Sequence, residues 1–256
     1  MTEQLLANEV TSKTAVLQEI FSSIQGEGPY IGKRQVFVRF NVCHLHCQYC
    51  DSPAMPHTEA CRIHELECRQ SPRLLPNPLS IEQVASEIEH YLSQTPHHSV
   101  SVTGGEPLLY VPFLTQLLPR IQAQCPIYLE TSGSQPELLE KVIEWVNIIA
   151  MDIKLPSATG EPMPFEQHKA FFELARQKEL FVKLVFSEAT TAAELAAVCD
   201  IVTDRSVPII LQPVTSLKTG CVELPVSKVL SLESTLSQWF NDVRVIPQSH
   251  KMLGIP

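Results

Sequence analysis

Residues 35–52 read QVFVRFNVCHLHCQYCDS. The first six, rich in β-branched and aromatic side chains, have the composition of a strand, QVFVRF (35–40). That strand runs directly into a loop of three cysteines, Cys43, Cys47 and Cys50, spaced Cys-x3-Cys-x2-Cys with His44 and His46 between them. A tetrahedral ion takes four ligands and a disulfide two, whereas three thiolates suit three corners of an iron–sulfur cube whose fourth iron keeps no protein ligand. The alternative is structural zinc with His44 or His46 as fourth ligand, although such sites usually come as two separated ligand pairs.

Outward from this loop the chain alternates strand-like and helix-like segments. Apolar runs at SVSVT (99–103), IYLET (127–131), NIIAMDIK (147–154), LFVKLVF (180–186), VPIILQP (207–213) and VRVIP (243–247) predict strands. Helices are predicted near 80–93, 111–123, 136–146, 166–179, 191–203 and 227–240, the first opened by Ser80 with Gln83 three residues on, a capping-box pattern. Near-continuous apolar strands separated by helices indicate an α/β fold around a parallel sheet. Periodicity leaves open whether that sheet is doubly wound or an incomplete barrel. Polar or small clusters follow the strands: CHLHCQYCDS, TGGEP, ETSGS, MDIK, QPVTS and PQSHK. In either architecture the carboxyl edge is where ligands bind, so one shared site is the economical reading.

The 256 residues are 44% hydrophobic and 18% charged, enough for one large core in a single domain over 1–256. Residues 1–15 read as a flexible tail, and with Glu3, Asn8, Glu9 and Lys13 they lack the apolar core of a signal peptide. No run of about 18 apolar residues could span a bilayer. The reading is a soluble, cytoplasmic protein in which eight cysteines serve as thiols or metal ligands rather than disulfides. A net charge of −9 argues against a nucleic-acid surface, and nothing points to a membrane, so a small-molecule partner is favoured.

The loop TGGEP (103–107) joins the cysteines at the same edge. Its glycines permit close backbone approach to a ligand, and Glu106 could orient a charged amino-acid headgroup. Together, Cys43-x3-Cys47-x2-Cys50, with Tyr49 before the last cysteine, and Gly104-Gly105-Glu106-Pro107 resemble the radical S-adenosylmethionine superfamily. The resemblance implies a [4Fe-4S] cluster on the three cysteines and S-adenosylmethionine on its open iron, cleaved by one electron to methionine and a 5′-deoxyadenosyl radical.

Three further stretches narrow it: EIFSSIQGEGPYIGKRQVFVRF (19–40), Asp51-Ser52, and the ending VRVIPQSHKMLGIP (243–256). These resemble the 7-carboxy-7-deazaguanine synthase family. That likeness implies an incomplete (β/α) TIM-like barrel and a homodimer. It implies a lyase that turns 6-carboxy-5,6,7,8-tetrahydropterin into 7-carboxy-7-deazaguanine with loss of ammonia for queuosine biosynthesis, aided by Mg2+ and an electron donor such as flavodoxin or ferredoxin. By position, Ile24, Gln25, Gly26, Glu27, Arg39 and Thr103 would contact the pterin, joined by the terminal carboxylate of Pro256. Ser52 would ligate Mg2+. Tyr49, Asp51, Gly104, Gly105, Glu106, Asp152, Ile153, Lys154, Gln212 and Pro213 would line the S-adenosylmethionine. Two other readings stay open at this point: an activase that draws a glycyl hydrogen from a partner protein, and a non-catalytic iron–sulfur or zinc module.

Residues 55–78 stand apart as an insert. His57, Cys61, His64 and Cys68 fall at helical spacing ahead of Pro72, Pro76 and Pro78, which predicts an inserted helix, with a second metal site as the minor reading. Cys125, Cys199 and Cys221 read as small buried apolar residues.

Overall fold

The computed structural model describes residues 13–52, 58–66 and 71–255. The strands formed there are β1 (Thr14–Ala15), β2 (Leu17–Ile24), β3 (Arg34–Phe40), β4 (Ala60–Ile63), β5 (Arg73–Pro76), β6 (Leu79–Ser80), β7 (Ser99–Gly104), β8 (Ile127–Thr131), β9 (Ile148–Ile153), β10 (Glu179–Phe186), β11 (Ile209–Pro213) and β12 (Val243–Val245). Ten make one sheet in the order β12-β11-β10-β9-β8-β7-β3-β2-β4-β5, with β1 and β6 paired apart. From β3 through β7 to β12 every neighbour is parallel. At the other end β2 is antiparallel to β3, and β5 to β4. The expected parallel sheet thus carries a mixed edge, and its end strands do not bond to each other, so the wall stays open.

The two faces of this wall differ, because alternate residues of a strand point to opposite sides. Val36, Val38, Val100, Val102, Leu129, Ile149, Val182 and Leu184 face one way, into a core with Val84, Leu117, Phe171, Phe172, Val198 and Leu232 of the helices. Tyr128, Ile148, Ala150, Phe181 and Ile210 face the other way in a small separate cluster. The helices Ile81–Gln94, Val111–Gln122, Phe165–Ala175, Ala192–Ile201 and Val226–Leu236 match the predicted segments. The first begins with the expected capping box: Gln83 N–H donates to Ser80 Oγ at 3.3 Å, and Ser80 N–H to the Gln83 side chain at 2.9 Å. Segment 136–146 departs from prediction. It is a single α-turn, Pro136–Leu139, followed by a 3-10 turn, Ile143–Trp145. The reason is tertiary: Asn147 pairs with Ile127 through both its backbone N–H and its side chain, drawing the chain straight back to the sheet.

The insert is corrected as well. Its described residues form β4 and β5 rather than a helix, and in β4 burial alternates, with Cys61 and Ile63 inside. Helical spacing of the histidines and cysteines misled because the segment bonds laterally to β2. Cys61 packs into the core, and burial pushes its thiol up to about 12. His57 and Cys68 lie outside the described residues. The tail reading is shortened: Thr14 and Ala15 pair with Ser80 and Leu79, and Ala15 is buried. Cys125 and Cys199 are buried as expected, whereas Cys221 is exposed. Among the described residues no helix is long and apolar enough to cross a membrane.

Candidate active site

The side of the wall opposite the helices becomes polar at the carboxyl ends. Glu19 lies in register with Arg39, Arg39 with Thr103, and Asp152 with Lys183. Just above this layer the cysteine loop and the TGGEP turn meet. Gly105 N–H donates to Phe40 O at 2.9 Å and Glu106 N–H to Val42 O at 2.7 Å. A Cβ on Gly105 would stand 2.6 Å from the Val42 carbonyl carbon, so only glycine lets the two loops pack. Glu106 is fully buried, and its carboxylate accepts from Leu108 N–H, Thr131 Oγ1 and Ser132 N–H at 2.8–3.1 Å. It therefore ties the ends of β7 and β8 together.

Ile24, Gln25, Gly26, Glu27, Arg39 and Thr103, the residues expected around a pterin, line one cleft with Phe21, Phe37, Asp51, Ser52, Glu130 and His250. Pro256 lies outside the described residues. Phe21 and Phe37 stack at 4.9 Å as an apolar wall, with the Arg39 guanidinium 5.6 Å over Phe21. Arg39 is aimed from both sides: its Nε donates to Glu19 at 2.9 Å and its Nη1 to Ser52 Oγ at 2.8 Å. The insert contributes here, since β4 brings Arg62 to 3.2 Å and His64 to 3.1 Å of the other Glu19 oxygen. Burial opposes ionisation of Glu19, but the His64 hydrogen bond and the two arginines outweigh it and bring the pKa down to about 2. Gln25 is buried and its amide is spent inside the protein, on Gln35, Glu130 and the Glu27 N–H. Glu130 also accepts from Ser101 and Thr103 at 3.0 and 2.9 Å.

A C-terminal helix, Ser249–Leu253, closes over this cleft. Ser249 N–H and Oγ donate to Gly26 O at 2.9 and 3.2 Å, Gln248 donates to Glu27 at 2.7 Å, and Lys251 pairs with Asp51 at 2.8 Å. His250 packs against Gly26, where a Cβ would come within 2.6 Å of the His250 Cβ. Burial lowers the pKa of His250, with Glu27 and Asp51 pulling the other way. Asp51 is held at about 2: burial works against its charge, and Lys251 outweighs it.

On the cofactor side, Lys154 Nζ donates to Asp152 at 2.7 Å and to the Tyr49 hydroxyl at 3.1 Å. Burial disfavours the charge on Lys154, but Asp152 dominates and holds its pKa well above the ordinary value. Ile153 turns into the helix-side core, so it offers only backbone to this side. Sequence reasoning missed Glu19, Glu130, Lys183 and His250. Glu130 and Lys183 are single charges in strands and Glu19 lies in a half-polar one, so none of the three stood out before the strands were set in register.

The donor set fits an iron–sulfur cluster. Cys43, Cys47 and Cys50 are free and half-buried, and burial raises Cys43 to about 11, an environment in which a thiolate calls for metal charge. Among the described residues no group of three His, Cys, Asp or Glu side chains is gathered as they lie into a site for a single ion. His44 turns to Ser134 Oγ at 3.1 Å, and His46 lies at the surface beside Glu161. The site also fits S-adenosylmethionine: Asp152 Oδ1 and Gln212 Oε1 are buried acceptors without a protein donor, suited to hydroxyl or ammonium groups. The residues as they lie do not fit Mg2+, because a guanidinium already occupies Ser52 Oγ.

An open parallel barrel wall with three thiols on the loop after one strand is the arrangement of a radical S-adenosylmethionine enzyme. The family model described as the radical SAM superfamily matches residues 37–188. A 7-carboxy-7-deazaguanine synthase from Geobacter sulfurreducens is 42% identical, with 94% of this chain and 97% of that protein aligned. One from Archaeoglobus fulgidus is 35% identical over 94% of this chain and 99% of its own length. The chain belongs to the 7-carboxy-7-deazaguanine synthase family of radical SAM enzymes. In fold it is similar to the crystal structure of QueE from Escherichia coli, with a TM-score of 0.56 at 17% identity over 96% of this chain and 99% of that one. This likeness assigns the open wall to the partial (β/α) barrel type. The family typically uses a [4Fe-4S] cluster and S-adenosylmethionine.

Proposed function

We propose that the chain converts 6-carboxy-5,6,7,8-tetrahydropterin to 7-carboxy-7-deazaguanine and ammonia. The observation that carries this reading is the cleft itself. A guanidinium suited to a carboxylate, Arg39, and a carboxylate suited to N–H donors, Glu27, line one recess beside the cysteine loop. Arg39 would pair with the substrate carboxylate through the planar fork that Glu19 and Ser52 hold in place. Glu27 would accept from the pyrimidine edge, and Glu130 with Thr103 would border the ring from the sheet. The C-terminal helix would exclude water from above. Cys43, Cys47 and Cys50 would hold the cluster, while Tyr49, Asp152, Lys154, Gln212 and Pro213 with the backbone of Gly104, Gly105 and Ile153 would hold S-adenosylmethionine. The bound cofactor supplies the hydrogen-abstracting radical. Asp51, tied to Lys251, would join the two halves, and an electron donor and a homodimeric state complete the proposal.

Protein reconstituted without oxygen, given S-adenosylmethionine, a reductant and the carboxypterin, should form a deazaguanine detectable by mass spectrometry. Cofactor cleavage with no deazaguanine would overturn the assignment and leave an activase as the better reading.

A further inference from the structure

We infer that Lys183 is a positioning and specificity-determining residue: it keeps Glu27 an ionised, acceptor-only group, so that the cleft selects a heterocycle edge made of N–H donors. This rests on the reading that the pterin meets Glu27. Lys183 stands mid-way along β10, between Val182 and Leu184 of the helix-side core, at the inward register above Phe181. Its Nζ lies 2.6 Å from Glu27 Oε2 and 3.5 Å from Asp152 Oδ2. Both members of the shorter pair are largely buried, with side-chain exposures of 14% and 18%. Among the described residues it is the one ion pair that Glu27 makes.

The rest of Glu27's surroundings cannot replace that charge. From the C-terminal segment Gln248 donates a neutral hydrogen bond, and His250 is pushed by burial toward its neutral form. From the cysteine loop comes Asp51, a like charge whose own cation is Lys251. At the end of β9 Asp152 pairs with Lys154 at 2.7 Å, and from β8 come Tyr128 and Glu130, neither of them a cation. A carboxylate in such a site without its lysine would take up a proton. It would then present an O–H donor to the N–H edge it is meant to accept from, and the match would be lost.

The test is equilibrium binding of 6-carboxy-5,6,7,8-tetrahydropterin, measured anaerobically without reductant on cluster-loaded protein, for wild type, Lys183→Met and Lys183→Arg between pH 6 and 9. The readout is the ratio of each variant's Kd to that of wild type at the same pH, in which titration of the pterin cancels. For Lys183→Met the ratio should exceed about 30 near pH 6.5 and fall about tenfold per pH unit as Glu27 ionises. For Lys183→Arg it should stay within about threefold and be flat, because the charge is kept. Should Lys183→Met fold poorly, Lys183→Gln serves, with the same slope expected. A ratio near one, or a raised ratio that does not change with pH, overturns the inference, since a merely structural lysine gives no such slope. Failure of the wild type to bind the pterin at all would instead overturn the functional reading on which it rests.

Discussion

Gly26→Ala should unseat the C-terminal helix without touching the barrel wall. The new Cβ would lie 2.6 Å from the His250 Cβ and 2.7 Å from its Cγ, whereas carbon atoms pack at about 3.5 Å. These atoms lie close to the helix backbone and cannot swing away, so the helix itself must retreat by about 1 Å. That displacement breaks the Ser249 N–H bond to Gly26 O and the Gln248 bond to Glu27, now 2.9 and 2.7 Å. At about 1 kcal/mol for the neutral bond and about 2 kcal/mol for the one to a carboxylate, docking weakens by about 3 kcal/mol. The Lys251–Asp51 pair is partly exposed and adds little. A loss of this size shifts the docked-to-undocked ratio about 100-fold, and pterin affinity should fall by up to that factor if only the docked form binds. Hydrogen exchange of residues 246–255 reads the docking, and equilibrium dialysis reads the affinity. Cluster content should be unchanged, since the cysteine loop packs on Gly105 rather than Gly26. Wild-type protection of the helix together with wild-type affinity would refute the reasoning.

Two further outcomes follow from the same geometry. Cys47→Ala removes one of three ligands with no spare protein donor near, so anaerobically reconstituted protein should lose most of its iron and its electron paramagnetic resonance signal; a full cluster would contradict the ligand assignment. Glu19 has its folded pKa depressed to about 2, so its stabilising contribution is fully present above the unfolded carboxyl pKa near 4.5 and is lost as pH falls through about 2. The shift corresponds to about 3 kcal/mol, and urea midpoints between pH 6 and pH 3 should drop less in Glu19→Gln than in wild type. Equal slopes would show that Glu19 is not the group being protonated.

Much of the sheet was readable because strands buried on both faces are written as apolar runs. LFVKLVF and VPIILQP could be assigned without knowing their neighbours. β2 was not, for a physical reason. In LQEIFSSI four of the eight residues are polar, and an irregularity between Leu17 and Glu19 breaks the alternation, so it does not read as a strand until β3 and β4 flank it. The cleft residues Ile24, Gln25, Gly26, Glu27, Arg39 and Thr103 were legible through the family motifs that carry them, although Ile24, Arg39 and Thr103 lie in strands. Lys183 and Glu130 were not, since a single charge in a strand has the same letter whether it faces solvent or a pocket. Their role appears only when register sets Lys183 beside Asp152, and when Thr103 and Ser101 point at Glu130.

The division of labour along each strand explains how the protein tolerates so many charges in its interior. On β10 the residues Leu180, Val182, Leu184 and Phe186 bury themselves under the helices, while Phe181 and Lys183 point to the opposite side of the wall, Phe181 into the small cluster there and Lys183 to Glu27. Hydrophobic stabilisation is thereby confined to one register, at roughly 1.5–3 kcal/mol for each large side chain buried. The other register is free to carry groups whose burial is unfavourable. There the charges alternate through contact: Glu27 to Lys183, Lys183 to Asp152, and Asp152 to Lys154, at 2.6, 3.5 and 2.7 Å. The run ends on the hydroxyl of Tyr49 in the cysteine loop. Glu27 and Asp152 each meet Lys183 from another segment, and Lys154 meets Asp152 of its own segment, so the cleft residues are held in place by the fold of the wall. A substitution at an outward position such as Leu184 costs stability through its core contacts, and one at Lys183 costs recognition through Glu27. The same two-residue period of the strand separates the two effects.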